Sequence, residues 1–237
     1  MTSEARDRLF VALDTTDLER AARLARELAG RVGGLKVGKE FFTAHGPDGL
    51  RAAVGGEPLF LDLKFHDIPN TVAGAVRAAM RLSPRILNVH ASGGRAMMEA
   101  ARDALREGAD DAGVEPPWLV AVTVLTSLDD ADLAAVGQQG PAAEQVVRLA
   151  RLAQDCGLDG VVCGPREIAP LRAACSPDFK LVVPGIRPAW AASGDQKRVM
   201  TPKAAVAAGA DVIVVGRPIT AAEDPLDAAE KIVAELG

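Results

Sequence analysis

The chain has no tyrosine, two tryptophans and six phenylalanines, so aromatic residues make up only 3% of its 237 positions. A platform for stacking nucleobases is therefore not expected. Cysteine is equally scarce. Cys156, Cys163 and Cys175 form no Cys-x-x-Cys pair and have no histidine cluster beside them, which excludes a zinc ribbon and a disulfide framework and reads as reduced, buried thiols. Charge of one sign is missing too: 27 basic residues face 32 acidic ones, the net charge is -5, and Lys and Arg are scattered rather than gathered. Nucleic acid and anionic membrane are thus not expected as partners. No apolar run reaches the roughly 18 residues of a membrane-spanning helix. The opening "MTSEARDRLFVALD" is charged and enters a strand-like segment directly, unlike a signal peptide. These readings lead to the expectation of a soluble cytoplasmic protein.

What is abundant is alternation. Short apolar runs recur at 9–14, 34–38, 58–65, 86–91, 118–125, 159–163, 179–185 and 212–217. Between them lie Ala/Arg/Glu/Leu-rich stretches such as "DLERAARLARELAG", with apolar positions three and four residues apart and glycine at the close. The runs are continuously apolar rather than alternating, as in a parallel sheet covered by helices. Eight strands each followed by a helix predict an α/β fold, a single-domain (β/α)8 TIM barrel spanning residues 1–237. A doubly wound open sheet shares the alternation, and the count of eight decides between them. One connection stands out: "IRPAWAASGDQKRVMTP" at 186–202 is long, polar and punctuated by Pro and Gly. Its length marks it as a functional loop on the carboxyl-terminal face of the barrel.

Several strand ends carry ionisable residues that a core does not require. Strand one ends at Asp14, strand two carries Lys36, strand three carries Asp62 and Lys64, and Asp67 follows just past its end. Residues two apart on a strand share a face, so Asp62 and Lys64 are expected to point the same way. Ion pairs at the barrel rim are the alternative explanation, but burying an unpaired charge costs several kcal/mol and the fold demands none of them. Alternating carboxylates and ammonium groups offset that cost, at about 4 kcal/mol for a 4 Å contact when the effective dielectric is near 20. Such an array is a preorganised field that contains a proton donor. A second constellation follows strands seven and eight, where "PGIRP" supplies Gly185 and Arg187 and "GRPIT" supplies Gly216 and Arg217. Glycine-exposed amides backed by guanidinium groups suit a phosphate dianion, and barrels commonly bind phosphate at these two loops.

"DLKFHDIPNT" (62–71) resembles the signature of the orotidine 5'-phosphate decarboxylase family. So do "ALD" at Asp14, "KVG" at Lys36, "VTVLTS" (122–127), "PGIRP" (184–188), "GDQKRVMTP" (194–202) and "VVGRPIT" (214–220). The resemblance implies decarboxylation of orotidine 5'-phosphate to UMP, the final step of UMP biosynthesis, with no metal and no cofactor. It implies that Lys64 donates a proton to carbon 6 of the pyrimidine. Lys36, Asp62 and Asp67 complete a charge tetrad with it, Asp67 coming from the neighbouring subunit of a homodimer. Asp14 and Lys36 are expected to hold the ribose hydroxyls, with Thr71 in the same binding segment. Thr126 and Ser127 are expected at the pyrimidine edge, and Arg187, Gln196, Gly216 and Arg217 at the nucleotide, with Gln196 on a mobile phosphate-side loop. The tyrosine found in the phosphate loop of some relatives has no counterpart here.

The chemistry agrees with these assignments. Loss of carbon dioxide from carbon 6 leaves an in-plane carbanion with no adjacent carbonyl to spread its charge, so the site must supply a positive group and a proton. A metal-dependent branch of the same superfamily shares the Asp-x-Lys-x-x-Asp strand but places a Glu on strand two to help bind magnesium, where this chain has Lys36. A non-catalytic binder of nucleotide phosphates is the other alternative, and it has no use for the full charged set. His45 reads as loop surface, His66 as a packing residue and His90 as a polar strand cap, while Trp118 and Trp190 have no evident ligand.

Overall fold

A computed structural model describes residues 3–138, 140–191 and 200–237 of the chain. Eight parallel strands close in sequence order into the barrel that the eightfold repeat predicts. They are β1 (Leu9–Ala12), β2 (Gly34–Gly38), β3 (Leu59–Phe65), β4 (Ile86–His90), β5 (Trp118–Val122), β6 (Gly160–Val162), β7 (Lys180–Pro184) and β8 (Val212–Val215). The described helices are α1 (Ser3–Asp7), α2 (Leu18–Leu28), α3 (Lys39–Val54), α4 (Pro69–Met80), α5 (Arg95–Ala112), α6 (Asp130–Ala135), α7 (Ala142–Asp155), α8 (Ile168–Ala174), α9 (Pro202–Ala208), α10 (Arg217–Thr220) and α11 (Pro225–Leu236). Each expected strand is present. The chain does not enter β1 directly, however, because the short helix α1 precedes it.

The chain divides into two compact units, residues 1–62 with 183–237, and residues 63–182. Both divisions fall inside strands, β3 and β7, rather than in linkers. In the first unit β1 pairs with β2 and with β8, and β2 pairs with β3. In the second, β4, β5, β6 and β7 pair in succession. Strand residues on both faces are buried, as Leu9, Phe10 and Val11 in β1 illustrate, which is why the sequence shows continuous apolar runs.

Local signals set the helix ends. Asp17 caps α2 by accepting the Arg20 N–H at 2.9 Å, and Ala21, Leu24, Ala25 and Leu28 form its buried stripe. Thr201 caps α9 the same way, with Pro202 in the first turn. His45 differs from its reading as loop surface. It lies within α3, where the helix kinks at Gly46 (φ 61°), and its Nε2 lies 2.6 Å from the Thr16 carbonyl oxygen. The Gly46-Pro47 pair suggested a loop; the structure has instead a non-helical break at Gly46 between two helical stretches. Of the three thiols, Cys156 and Cys163 are buried, whereas Cys175 is half-exposed.

Close strand approach demands glycine at Gly160. A Cβ there would strike the backbone of Lys180, its β7 partner. Gly160→Ala is expected to destabilise the protein by about 1–3 kcal/mol through forced strand separation. That corresponds to a thermal midpoint lower by roughly 2–12 °C, measurable by calorimetry.

Candidate active site

Among the described residues Lys36 is the only buried cation. Backbone pairing places Ala12 opposite Lys36 and Gly38 opposite Asp62. The Leu13 N–H continues the β1–β2 ladder by donating to the Lys36 carbonyl at 2.9 Å. Asp14 therefore stands two residues past β1 rather than at its end, because the chain leaves the sheet after Leu13. From there its Oδ1 lies 3.0 Å from the Lys36 Nζ, while Asp62 Oδ2 lies 3.3 Å from the same nitrogen. The Lys36 and Asp62 side chains are each 11% exposed, and that of Asp14 is 60% exposed. One ammonium thus holds two carboxylates, one buried and one open to solvent. Gly38 keeps the space clear: a Cβ there would sit 3.3 Å from the Lys36 Nζ.

Each contact is worth about 5 kcal/mol of gross attraction at an effective dielectric near 20. Burying Lys36 and Asp62 costs several kcal/mol apiece. The two nearly cancel, so the cluster contributes little net stability. The donor set does not fit a divalent cation either, because the Lys36 ammonium already stands between the two carboxylates. Among the described residues no group of three or more His, Cys, Asp or Glu is placed to hold a metal.

Gly216 follows β8 in the same unit. A Cβ at that position would come 3.6 Å from the Ala12 Cβ and 3.9 Å from Asp14 Oδ2, so the bare backbone runs beside Asp14. Arg217 opens α10 and is exposed. After β7, Gly185 adopts φ 78° and turns the chain, and the half-buried Arg187 donates its N–H to the Met200 carbonyl at 3.1 Å. Gln196 lies outside the described residues, as does the 192–199 part of the loop in which it was placed.

The second unit contains Lys64. It is half-buried and lies two residues beyond Asp62 on β3. Its φ of 51° is one of two positive values among non-glycine residues described, a conformation that costs roughly 1–3 kcal/mol. The Lys64 N–H donates to Asn88 Oδ1 at 2.7 Å. Asn88 was missed among the site residues, although a carboxamide in the middle of the apolar run "ILNVHA" was its visible sign. Asp67 departs from the expectation of a buried strand end. It is exposed, its Oδ1 accepts the Ile68 N–H at 2.6 Å, and Ile68 is 66% exposed at the start of α4. Thr71 is exposed on α4, and Thr126 and Ser127 are exposed in a turn beyond β5.

The model of the orotidine 5'-phosphate decarboxylase / HUMPS family matches residues 7–232 of the chain. The chain belongs to this family. It is 58% identical over 230 residues to the orotidine 5'-phosphate decarboxylase of Paramagnetospirillum magneticum, covering 97% of this chain and 98% of that protein. It is 56% identical to the enzyme of the same name from Rhodospirillum rubrum, across 100% of this chain and 96% of the relative. The crystal structure of orotidine 5'-phosphate decarboxylase from Lactobacillus acidophilus superposes with a TM-score of 0.86 at 41% identity, covering 97% of this chain and 98% of that one.

Burial pushes the Cys163 thiol far up, the Glu167 carboxylate adding to the shift. Glu167 itself is pushed up by burial, opposed by the Gly164 N–H that it accepts at 2.6 Å. His66 and His90 lie with ring centroids 5.4 Å apart. The Trp118 ring faces Lys180, and Trp190 donates to Glu235 at 3.1 Å.

Lys36→Met removes the ammonium and keeps the stem, leaving the Asp62 carboxylate buried without it. The variant is expected to lose about 2–4 kcal/mol of stability at pH 8. Urea unfolding of the variant beside the native protein checks this, and an unchanged stability would contradict it.

Proposed function

We infer that this chain is a carbon–carbon lyase that decarboxylates orotidine 5'-phosphate to UMP and carbon dioxide, the final step of UMP biosynthesis. The observation that carries this reading is the Lys36 ammonium held between Asp14 and Asp62 in a chain of this family. Asp14 and Lys36 take the ribose hydroxyls: the exposed Asp14 carboxylate accepts, and Lys36 donates while staying paired with Asp62. Thr71, Thr126 and Ser127 complete the contacts to ribose and pyrimidine. Arg187, Gly216, Arg217 and Gln196 hold the phosphate. The segment 186–202 acts as the loop that covers that phosphate, and the chain works as one (β/α)8 domain in the cytoplasm.

The reaction breaks the bond between carbon 6 and the carboxylate carbon. The carboxylate leaves as carbon dioxide, and the bonding electron pair stays on carbon 6. The Lys64 ammonium stabilises that developing charge and then transfers a proton to carbon 6, forming UMP. Water re-protonates the lysine. Asp62 and Lys36 keep the field around the reacting carbon fixed throughout the step. No metal or cofactor is called upon.

Asp67 serves the neighbouring subunit of a homodimer. Its exposure, beside an isoleucine that is 66% open to solvent, supports this assignment. Magnesium-dependent sugar-phosphate chemistry is disfavoured because Lys36 fills the place of a metal-binding Glu, and a non-catalytic nucleotide-phosphate binder would not need the charged set.

Orotidine 5'-phosphate should be consumed in excess chelator with UMP as product, followed by absorbance and chromatography. Lys64→Ala should remove turnover by at least about 1,000-fold while leaving the fold intact; full activity in that variant would sink the role of Lys64. Mixing inactive Lys64→Ala with inactive Asp67→Asn protein and allowing subunits to exchange should restore roughly a quarter of the native activity, because half the dimers then carry one complete site. No recovery after exchange would place Asp67 in its own subunit's site.

A further inference from the structure

Lys64 carries a left-handed backbone in the interior of a seven-residue strand, with φ of 51°. A lysine holds such a conformation only where surrounding structure dictates it. A strand N–H turned out of the regular ladder needs another acceptor if it is not to be buried unsatisfied. Here the acceptor is Asn88 Oδ1, at 2.7 Å.

Asn88 is 0% exposed, as are its neighbours Leu87 and Val89. A carboxamide buried this completely is unfavourable unless it is hydrogen-bonded. Its backbone is anchored by the β4–β5 ladder, in which Asn88 stands opposite Val120. The acceptor oxygen is therefore presented by a rigid strand and not by a loop. The bond reaches the main chain of Lys64, so it sets the direction in which the side chain leaves the backbone.

We propose that Asn88 is a positioning residue for the reaction: its side-chain oxygen holds the Lys64 backbone in the left-handed conformation that aims the ammonium at carbon 6. The inference rests on the role given to Lys64 above. Asp14 and Lys36, assigned to the ribose hydroxyls, and Arg187, Gly216 and Arg217, assigned to the phosphate, lie on other segments, so loss of this bond disturbs proton delivery more than substrate binding. A misplacement of about 1 Å at a reacting group costs on the order of 100-fold in rate.

Four variants test this, each measured for kcat, KM for orotidine 5'-phosphate and the backbone amide resonance of Lys64 in nitrogen-15 spectra. Asn88→Leu keeps the branching pattern of the side chain and removes the acceptor. It is expected to lower kcat by about 30- to 100-fold with KM within about threefold, and to move the Lys64 amide proton upfield. Asn88→Asp keeps an acceptor oxygen, so it should recover kcat to within about tenfold of native and keep the amide resonance near its native position. Asn88→Ser, with a shorter side chain, serves the same comparison if the leucine variant does not fold. Lys64→Ala is the control. If Lys64→Ala is inactive and Asn88→Leu or Asn88→Ser keeps kcat within about threefold of native, the positioning role is overturned while the reading of Lys64 stands. An unmoved Lys64 amide, or equal losses in kcat and in 1/KM with no recovery in Asn88→Asp, also overturns it. An active Lys64→Ala removes the proton-donor reading and the positioning role together.

Discussion

The ammonium of Lys36 lies 3.0 Å from one carboxylate and 3.3 Å from another, and much else in the chain is arranged so that it can. The carboxylates come from different strands. Asp14 reaches the nitrogen only because β1 and β2 pair with Ala12 opposite Lys36, and Asp62 only because β2 and β3 pair with Gly38 opposite Asp62. A slip of one residue in either ladder would turn a charge into the hydrophobic layer. The apolar strands around the cluster supply the stability, and the cluster spends some of it to keep ionised groups out of water.

Glycines surround these charges where backbone must come close. Gly38 leaves room for the Lys36 ammonium, and Gly216 lets the chain after β8 pass beside Asp14. A side chain at Gly38 would press on the Lys36 ammonium, whereas a Cβ at Gly216 would make only ordinary contacts with Ala12 and Asp14. Beyond Asp62 on the same strand, Lys64 departs from extended geometry, and the neighbouring strand β4 presents Asn88 to its amide. A polar residue in an apolar strand, a positive φ at a lysine and a glycine beside a charge are all local departures from the rules that build a barrel. They fall on the residues to which catalysis is assigned, as expected where local preference yields to function.

The eight-strand barrel was legible in the residues because its signals are local and repeated. Each apolar run lasts five to eight residues, and the helical stretches between them have three- and four-residue spacing with glycine at the close. The charged residues of the site were legible as well, since ionisable groups at the ends of apolar runs are conspicuous, and their order along the chain resembles one family closely. Less visible was the surrounding geometry. Gly46-Pro47 suggested a loop where the structure has a kinked helix, and Asp14 was read as the last residue of a strand that stops at Ala12. In both places the deciding factor is which backbone groups find hydrogen-bond partners.

Sequence by itself determined the parallel α/β barrel, the identities of the charged groups and the family, because periodicity, residue type and motif order are properties of the chain alone. Tertiary structure decided that Lys36 pairs with both Asp14 and Asp62, that Asp67 stands exposed, and that Asn88 receives the amide of a turned Lys64. Those facts depend on strand register, burial and backbone torsion. They join residues some twenty or more positions apart, and local pattern carries no information about which distant partner will be met.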